Sequence, residues 1–554
     1  MRIRCRFFLI LLLVIFINLT AFCNGYSSLS EDAKVPEIEL WITTQTYDPI
    51  RYEAGLMIGQ KWEELGFKIK ITPMEWATMS SKGMSGHEHD AFVIQWGGQA
   101  ERIDPFHWLY TMHHSSETDV GKYNIAGYES SEYDRIAKQF VENMDMDKRR
   151  ESAYALQEIL SHDLPQPPIA HRIVTHAYNS MDFENTVMAM GEGMNSFWNW
   201  INITPKGDRK IVKFGYVGDV KLLNPLSTKT GADIYLLKMI YDPLVRVNIE
   251  GKPIPWAAES FNEIDDQTFE IVLREGMKFH DGKEVTVEDV KFTFDFAKEV
   301  KAPYYLSKIN YLEKVEIVDN RTVRFTLNQP FAPFISNALA LVGILPRHIW
   351  EEKYQEKGAE GILNWDNLPP VGSGPFKFEY WRPNEELKLT KFAQHFNPAK
   401  IDGVIRIPYA SAYGVVQGLK AGESDSAGWS LLPLQVEELK EVKHLTLKQV
   451  DDQGCYMLHY NMRKAPFDDV NVRRALTYAI PKKQIVELVF EGMAVPAYSV
   501  VAPVNSFWHN PDIEKAGDDI EKARQILEDA GFRWDDKGWI YYPENYEVKK
   551  LFTK

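Results

Sequence analysis

Hydrophobic and polar residues alternate in short stretches near the start of the chain, and helical spacing separates these stretches. Residues 38–42 and 67–71 alternate, which predicts two strands. Residues 54–65 carry apolar side chains three and four positions apart, and Gly66 is a typical end for the helix that this spacing predicts. Residues 91–95 predict a further buried strand. We therefore expect a β-α-β arrangement in this part of the chain.

The middle of the chain has a different pattern. A charged helical stretch over residues 133–161 ends at a proline cluster, and alternating strands follow from residue 210. Thr286 is a suitable N-cap for a helix among these strands, with Asp289 at the third helical position. Such alternation favours half-buried, antiparallel pairing. It is clearest in residues 212–216, 269–273 and 323–327.

Strand and helix patterns return near residue 450. A strand is predicted over residues 456–460, and helices over 472–480 and 520–530. This succession of strand and helix patterns resembles the pattern at the start of the chain more than that of the middle. We therefore expect the first and last parts of the chain to share a domain.

The composition is that of a globular protein. The 554 residues are 45% hydrophobic and 25% charged, and this length suffices for two or more cores. The 63 Lys and Arg residues against 78 Asp and Glu residues leave a net charge of −15, and the chain has no long basic run. Nucleic acid is therefore not an expected partner.

Residues 1–25 are typical of a secretory signal peptide. Three arginines precede an apolar run from Phe7 to Ile17, and Ala21 and Cys23 are small residues at a cleavage point. An uncleaved anchor reaching Phe22 is one alternative, and a lipid anchor on Cys23, which the bulk of Phe22 disfavours, is another. We expect an exported protein, in the periplasm or on the outer face of the cytoplasmic membrane. Cleavage after Cys23 would leave only Cys455, and hence no intrachain disulfide.

The sequence has no familiar motif for catalysis or for a cofactor. It has no phosphate-binding loop, no HExxH and no GxSxG, and Gly372-Ser373-Gly374 lacks the third glycine of a dinucleotide fingerprint. The histidines at 87–89 and 113–114 lie among Ser, Gly and Thr, which is typical of exposed loops rather than of metal ligands. We therefore predict no catalytic residue, no metal and no cofactor, although sequence spacing alone leaves a secreted hydrolase open.

Five longer phrases are more specific. They are LLNPL (222–226), EGMKFHDGKEVTVEDVKFTFDFA (275–297), VGSGPFKFEYW (371–381), LKAGESDSA (419–427) and YNMRKAPFDDVNVRRALTYAI (460–480). In this order they strongly resemble the family 5 extracellular solute-binding proteins of ABC importers, the family of dipeptide, oligopeptide and nickel binders. In that family the phrases begin near the mature N-terminus.

The opening part of the chain resembles the C-terminal region of the same family. The matching phrases are GLMIGQKWEELGFKIKITPMEWAT (55–78), HDAFVIQWGG (89–98), DPFHWLY (104–110) and DKRRESAYALQEILSHDLPQPPIAHR (147–172). The order is therefore inverted, which indicates a circular permutation in which residues 202–209 join the family's usual ends. The alternative is a relic that fuses half of one binder to half of another, which predicts two incomplete cores with exposed apolar faces.

The resemblance implies an α/β fold of the periplasmic-binding-protein type (type II, cluster C), a two-lobed clamshell with mixed sheets. The first lobe would be continuous over 170–430, across the join at 202–209. The second lobe would combine residues 36–165 with residues 435–550. Hinge crossings are expected near 165–172 and 429–434.

The resemblance also implies a function, which is capture of a solute between the lobes by hinge closure and delivery to an ABC permease, without catalysis. We expect a monomer, and the solute classes are a peptide, an oligosaccharide or a metal chelate. A non-transporting sensor on the same fold is the alternative. The predicted ligand-binding residues are Trp96, Gly97, Gly98, Gln99, Asp104, Asn224, Gly372, Ser373, Trp429, Tyr456, His459 and Asn461. Each has a structural alternative, such as core packing for the tryptophans and a turn for Asn224 and the glycines.

One departure from the family bears on the solute. Peptide binders of the family generally place an acidic residue just after the tryptophan, where it neutralises the peptide's ammonium group. Here Gln99 is the nearest match, and Glu101 could replace the acidic residue only after a loop shift. The resemblance alone therefore does not fix a peptide as the solute, and oligosaccharides, nickel chelates and other solutes stay open.

Overall fold

The structure is a computed structural model that describes residues 33–99, 102–228, 230–544 and 546. The expected signal peptide at 1–25, and Glu101, lie outside the described residues. Within the described ranges, no helix combines the length and the apolar composition that a membrane crossing needs. Three parts of the chain are named below: the leading segment (33–205), the middle segment (210–430) and the trailing segment (435–546).

The strands follow one another in chain order as β1 (Ile38–Thr43), β2 (Ile69–Met74), β3 (Ala91–Trp96), β4 (Pro168–Asn179), β5 (Phe183–Glu184), β6 (Thr204–Pro205), β7 (Ile211–Val217), β8 (Val245–Val247), β9 (Pro253–Pro255), β10 (Ala258–Asp265), β11 (Thr268–Leu273), β12 (Leu312–Ile317), β13 (Thr322–Leu327), β14 (Phe376–Arg382), β15 (Glu386–Lys391), β16 (Gly403–Tyr409), β17 (Ser426–Ala427), β18 (Leu445–Asp451), β19 (Cys455–Tyr460), β20 (Ala494–Pro496), β21 (Arg533–Trp534) and β22 (Ile540–Tyr541).

The helices are α1 (Pro49–Glu64), α2 (Trp76–Met79), α3 (Ser131–Glu142), α4 (Met146–Asp163), α5 (Phe197–Asn202), α6 (Gly231–Ile240), α7 (Val287–Glu299), α8 (Pro303–Ile309), α9 (Arg347–Leu363, interrupted at Gly358), α10 (Ala412–Ala421), α11 (Pro433–Leu439), α12 (Val470–Tyr478), α13 (Lys482–Gln484) and α14 (Ile520–Asp529). Shorter helical turns lie at Ser80–Ser85, His107–Thr111, Ser115–Glu117, Ile335–Leu339 and Ile485–Val489.

Side-chain caps fix several helix starts. At α7 the predicted cap is confirmed, because Thr286 accepts the N–H of Asp289 while the Asp289 carboxylate accepts the N–H of Thr286. The single helix predicted over 133–161 is wrong. The chain forms α3 and α4 instead, because Asp145 accepts the N–H groups of Asp147 and Lys148 and starts a new helix there.

The main sheet brings together strands from all three segments. Its order is β14-β15-β16-β7-β17-β4-β19-β3-β1-β2, and β18 and β20 also pair with β4. β1 is parallel to β2 and β3, as a β-α-β unit requires. β3 then pairs antiparallel with β19, which places Trp96 opposite Cys455. The leading and trailing segments thus share one sheet.

The middle segment contains both kinds of strand pairing. β10-β11-β13-β12 form a separate antiparallel sheet, with Phe269, Ile271 and Phe325 buried as the alternation predicts. Antiparallel pairing was wrong for β7, which runs parallel to β16 and β17. The reason is that α10 crosses over between β16 and β17, and a crossover helix returns the chain in the same direction.

The long strand β4 links the two halves of the main sheet. Its early residues pair with β19 and β20, with Ala170 opposite Tyr456 and Pro496. Its later residues, 173–179, pair antiparallel with β18, which comes from the trailing segment. The first predicted hinge crossing, 165–172, overlaps the start of this strand. The second lobe was predicted to resume at residue 435, which lies before β18. In the structure, β18 pairs with the half of the main sheet that contains the strands of the middle segment.

One hydrophobic core is built from the leading and trailing segments together. Trp62 on α1 is fully buried, lies 6.1 Å from the ring of Tyr460 on β19, and shares its cluster with Leu476 on α12. At the edge of this core, the start and end of the described chain pair, since Tyr542 N–H donates to the carbonyl of Ala33 at 2.8 Å. A larger core contains most of the buried apolar residues of the middle segment. It also includes Phe92 and Trp96, which lie on the other face of β3.

The connection at 202–210 is well anchored. β6 pairs with β5, and Lys206 N–H donates to the carbonyl of Asp182 at 2.8 Å. Arg209 forms ion pairs of 3.0 Å with both Asp182 and the buried Asp425. The connection therefore joins α5 directly to β7 without a long unsupported loop.

Candidate functional site

A cleft of about 670 Å³ lies between the leading and middle segments. Its leading side is formed by the chain after β3 and by the turns around 80–85 and 121–123. Its middle side is formed by α6, α8 and the turn at Ile335–Leu339. The two sides touch at the rim, where the rings of Phe106 and Phe331 are 5.1 Å apart and Ala332 N–H donates to the carbonyl of Val141 at 2.8 Å.

The glycines after β3 allow close backbone packing at the cleft edge. A Cβ on Gly98 would lie 2.0 Å from Oδ1 of Asp452 and 2.5 Å from the amide N of Gly454. A Cβ on Gly97 would meet nothing within 4 Å. Gln99 follows, lines the cleft, and has its carbonyl hydrogen-bonded to the side-chain amide of Gln453. Gly98 thus positions the turn, and Gln99 faces the cleft.

Asp104 lines the cleft, but its carboxylate is already engaged. The Arg149 guanidinium, which is 2% exposed, lies 2.9 Å from one carboxylate oxygen and donates to the other at 3.0 Å. The N–H of Phe106 also donates to Asp104 at 3.1 Å. The ion pair between Asp104 and Arg149 therefore attaches the leading wall of the cleft to α4.

Trp96 and His459 lie side by side beneath the leading wall. The Trp96 indole N–H donates to Nε2 of His459 over 3.4 Å, and His459 stacks on Phe92 at 5.0 Å. Burial lowers the pKa of His459 to about 3, so the ring is neutral at physiological pH. Trp96 packs edge-on against His107 and Tyr123, which themselves line the cleft.

Positive side chains line both walls. Arg102 lies over the rings of Trp96 and Trp108 and donates to the carbonyl of Gly97. On the opposite wall, the ammonium group of Lys308 lies 5.6 Å from the ring centre of Tyr304. Burial, together with the positive charges of Arg102 and Lys308, holds the pKa of His107 well below its usual value.

Lys238 on α6 occupies a second position on the middle wall. Its Nζ lies 3.3 Å from Oε1 of Glu192, which is 4% exposed. It also lies 5.6 Å from the ring centre of Tyr235, which lines the same wall. Tyr235 and Tyr304 give this wall an aromatic character beside its charges.

Several predicted ligand-binding residues lie away from the cleft lining. The side-chain amide of Asn224 is buried and donates to the carbonyls of Ile362 and Trp365. Ser373 Oγ donates to Asp242 at 3.1 Å, and a Cβ on Gly372 would lie 2.1 Å from the carbonyl of Ile240. In this structure these three residues fix the packing of the middle segment.

The remaining predicted residues are also placed elsewhere. Asn461 donates to the carbonyls of His87 and His89, and Trp429 packs edge-on against Tyr216. Tyr456 packs against Phe490, on the opposite side of β19 from His459. Of the twelve predicted residues, the structure therefore brings Gln99 and Asp104 onto the cleft lining, with Gly97, Gly98, Trp96 and His459 next to them.

The cleft residues that the sequence missed are mainly charged and aromatic. They include Arg102, His107, Lys122, Tyr123, Tyr235, Lys238, Tyr304 and Lys308. His107 lies in the phrase DPFHWLY, which was a signal that it belongs near the site. The residues on α6 and α8 lie outside every matching phrase.

The arrangement of the histidines and of Ser373 bears on metal binding and on nucleophilic chemistry. Within them, no group of three or more His, Cys, Asp or Glu side chains could hold a metal ion. The expected exposure of the histidine loops was wrong, since His89 and His113 are buried against aromatic rings. Ser373 donates to Asp242 and not to His395, so this trio is not a nucleophile with its base.

Comparison with known proteins gives a consistent picture. The family model described as bacterial extracellular solute-binding proteins, family 5 Middle, matches residues 252–553, more than half of the chain. The dipeptide-binding protein of Escherichia coli (strain K12) is 29% identical over 315 residues, covering 53% of this chain and 58% of the relative. The oligopeptide-binding protein AppA of Bacillus subtilis (strain 168) is 30% identical over 328 residues, covering 58% and 59%.

A solved structure agrees in fold. The ABC transporter substrate binding protein CtaP from Listeria monocytogenes is similar with a TM-score of 0.50 and 26% identity, covering 59% of this chain and 66% of that one. The chain thus spans a little under three fifths of the length of the curated relatives cited above. On the match over residues 252–553, the chain belongs to the family 5 bacterial extracellular solute-binding proteins.

Proposed function

We propose that the chain is the extracytoplasmic solute-binding component of an ABC importer, and that it captures its solute in the cleft without chemical turnover. The observation that carries this proposal is the cleft itself, which has walls from two separate parts of the chain and a volume of about 670 Å³. That volume is within the range of small-molecule sites. Family membership supports the same function.

The mechanism follows from the two walls. A solute that contacts both walls gains those contacts only when the walls are close together, so binding favours the closed form by the difference in affinity. Changing a population from mostly open to mostly closed needs about 5.5 kcal/mol of such preference. The strand β4, which pairs with both halves of the sheet, is the natural axis for this motion. A permease would recognise the closed form.

The experiment is native mass spectrometry of the gently purified protein, followed by thermal denaturation with a broad library of peptides, oligosaccharides and metal chelates. We expect a saturable rise in the unfolding temperature with the bound class, of size RT ln(1 + [L]/Kd) in free energy, and no product. Absence of any bound or stabilising solute would overturn the proposal. Product formation would indicate a hydrolase instead. Solute binding without loss of uptake in cells lacking the protein would favour a sensor.

We also propose that the chain is a circular permutant, with two lobes of approximately 36–165 plus 435–550 and 170–430, except that β18 pairs with the half of the sheet that belongs to the 170–430 lobe. Three observations support this proposal. The matching phrases occur in inverted order, the leading and trailing segments share a core around Trp62, and the connection at 202–210 is anchored by Arg209. A fusion relic predicts two separate incomplete cores, which does not agree with the mixed membership of this core.

A further inference from the structure

Four aromatic rings meet at the rim of the cleft, two from each wall. On the leading wall, the rings of Phe106 and Tyr110 stack with their centres 5.5 Å apart. On the middle wall, the rings of Tyr311 and Phe331 stack at 4.1 Å. Phe106 and Phe331 then meet across the rim with their planes at 80°, the edge-on arrangement that aromatic quadrupoles favour. We call these four residues the rim cluster.

Two polar contacts accompany the rim cluster. Val141 lies in the last turn of α3, where the carbonyl groups have no partners inside the helix. Its carbonyl accepts the N–H of Ala332 from the middle wall at 2.8 Å. Burial, together with the neighbouring hydroxyl of Tyr110, raises the pKa of Tyr311, so the two phenol groups interact across the rim. Each contact pairs a group of one wall with a group of the other.

A glycine provides a second point of contact between the walls. Gly251 lies in the turn between β8 and β9 with φ at +81°, and a Cβ there would lie 2.3 Å from Cγ2 of Ile103 in the chain after β3. A side chain at this position would therefore displace Ile103 or force the walls apart. Ile103 is held in place by the trailing segment, because its carbonyl accepts the side-chain amide of Asn505 at 2.7 Å.

Each wall is also fixed by contacts within its own part of the chain. On the leading side, the hydroxyl of Tyr133 donates to the carbonyl of Leu109 at 2.6 Å. On the middle side, the N–H of Asn328 donates to the carbonyl of Tyr311 at 2.9 Å. The surfaces that meet at the rim are therefore formed separately. We expect the contacts between them to break and form again without unfolding of either wall.

We propose that the rim cluster and its neighbouring contacts are a latch, which stabilises the closed form of the cleft independently of the solute. Every group in the latch belongs to the chain, so its contribution to closure is the same for any solute. A protein whose binding-competent form is more populated has a proportionally higher apparent affinity. The latch therefore raises affinity by preorganisation, and the solute provides only the remaining preference for the closed form. This inference rests on the proposed solute-binding function.

Distances between spin labels on the two walls test the latch. Gln139→Cys on α3 and Asn320→Cys between β12 and β13 place labels at exposed positions. Cys5→Ser and Cys23→Ser remove other reactive thiols, and Cys455 is fully buried. The full chain is unfolded in guanidinium, dialysed and refolded to remove solute, and native mass spectrometry checks the removal. We expect most molecules to show the label separation that this structure gives.

Matched substitutions test the latch residues. Phe106→Ala removes a ring of the rim cluster and should lower the ratio of closed to open molecules about threefold to tenfold. Phe396→Ala, which removes a partly exposed ring elsewhere in the middle segment, is its control and should leave the ratio unchanged. Gly251→Ala should also lower the ratio, because its Cβ meets Ile103. Its control is Gly276→Ala, where φ is +73° but a Cβ would meet nothing within 4 Å.

The glycine pair keeps the test open if Phe106→Ala folds poorly. A refolded wild-type chain that is mostly open overturns the latch, even if a solute then closes it and the proposed function stands. Unchanged closure in both Phe106→Ala and Gly251→Ala overturns the latch as well. Equal opening by Gly276→Ala overturns the second point of contact. The proposed function fails by a different result, when neither the solute library nor the search for a co-purified solute gives a binder.

Discussion

The indole N–H of Trp62 donates a hydrogen bond of 2.9 Å to the carbonyl of Leu476, 414 positions later in the chain. Both residues are fully buried, and both belong to the core that the leading and trailing segments build together. A contact between such distant positions can form only when both segments are folded. The two segments are therefore expected to unfold together.

Trp62→Phe tests this coupling. The change keeps most of the apolar contact but removes the donor, so the free energy of unfolding should fall by about 1–3 kcal/mol. Denaturation should remain a single transition by tryptophan fluorescence and by circular dichroism. Trp76→Phe, at a half-buried site, is the control and should cost less. Two separate transitions would contradict a shared core.

The adjacent glycines at the cleft edge should respond differently to substitution. Gly98→Ala forces a Cβ against Asp452 and Gly454, and overpacking of this kind costs about 1–3 kcal/mol. Gly97→Ala meets no neighbouring atom and should stay within about 0.5 kcal/mol of the wild type. Chemical denaturation of the two variants measures the difference. Equal costs would mean that the turn is not packed as described.

Ser373 and Asp242 should affect stability rather than solute affinity. Burial alone would raise the pKa of Asp242, but His395, Arg246 and Trp256 outweigh it and lower the pKa to about 2. Asp242→Asn removes the negative charge beside His395 and Arg246 and should lower the free energy of unfolding by about 3–5 kcal/mol. Ser373→Ala should lower it by about 1 kcal/mol. Solute affinity of Ser373→Ala should stay within about twofold. A larger loss of affinity would return Ser373 to the binding site.

Acid should destabilise the protein through buried neutral histidines. Burial lowers the pKa of His113 to about 4, against about 6.5 in an unfolded chain. The unfolded state therefore binds the extra proton, so the stability from neutral His113 is complete above pH 6.5 and is lost as pH falls toward 4.

His113→Asn can keep the hydrogen bond to the carbonyl of Trp108 without the titration, because its side-chain nitrogen takes the place of Nδ1. In this window its free energy of unfolding should fall less steeply with acid, by up to about 1.4 kcal/mol per pH unit. Denaturant titrations at pH 7, 6 and 5 give the slope. An unchanged slope would show that His113 is not the titrating group.

The order of the segments can be reversed experimentally. A short Gly-Ser linker from residue 546 to residue 33, with a new opening after Gly207, should give a chain with one unfolding transition and the same solute profile. Tyr542 and Ala33 are already hydrogen-bonded, so closing this loop costs little entropy. Loss of cooperativity, or a different solute profile, would contradict the proposed permutation.

Local patterns were sufficient to predict many individual elements. The alternation in β11 and β13 and the helical spacing of α1 with Gly66 at its end, where φ is +95°, all appear in the structure. These features depend on neighbours within a few residues, which a sequence displays directly. The main sheet was harder to predict from the sequence, because β4 acquires its partners from positions more than 240 residues away.

The cleft was harder to predict for a related reason. Phrases that match a family mark strongly constrained positions, and Asn224 and Ser373 are constrained here by buried hydrogen bonds to Ile362 and Asp242. Lys308 lies outside all such phrases and reaches the cleft through the placement of α8. Arg102, more than 200 positions earlier, lines the same cleft, and only the folded chain brings the two residues to one cavity.

The strand β4 also determines how the molecule would respond to mechanical load. Its early hydrogen bonds hold one half of the sheet and its later ones hold the other. We therefore expect torque about the strand axis to distort mainly the peptide units near Arg172, where the partner of β4 changes from β20 to β18. Tension along the axis would instead load the whole ladder in shear, so we expect the same point to yield to twisting and to resist stretching.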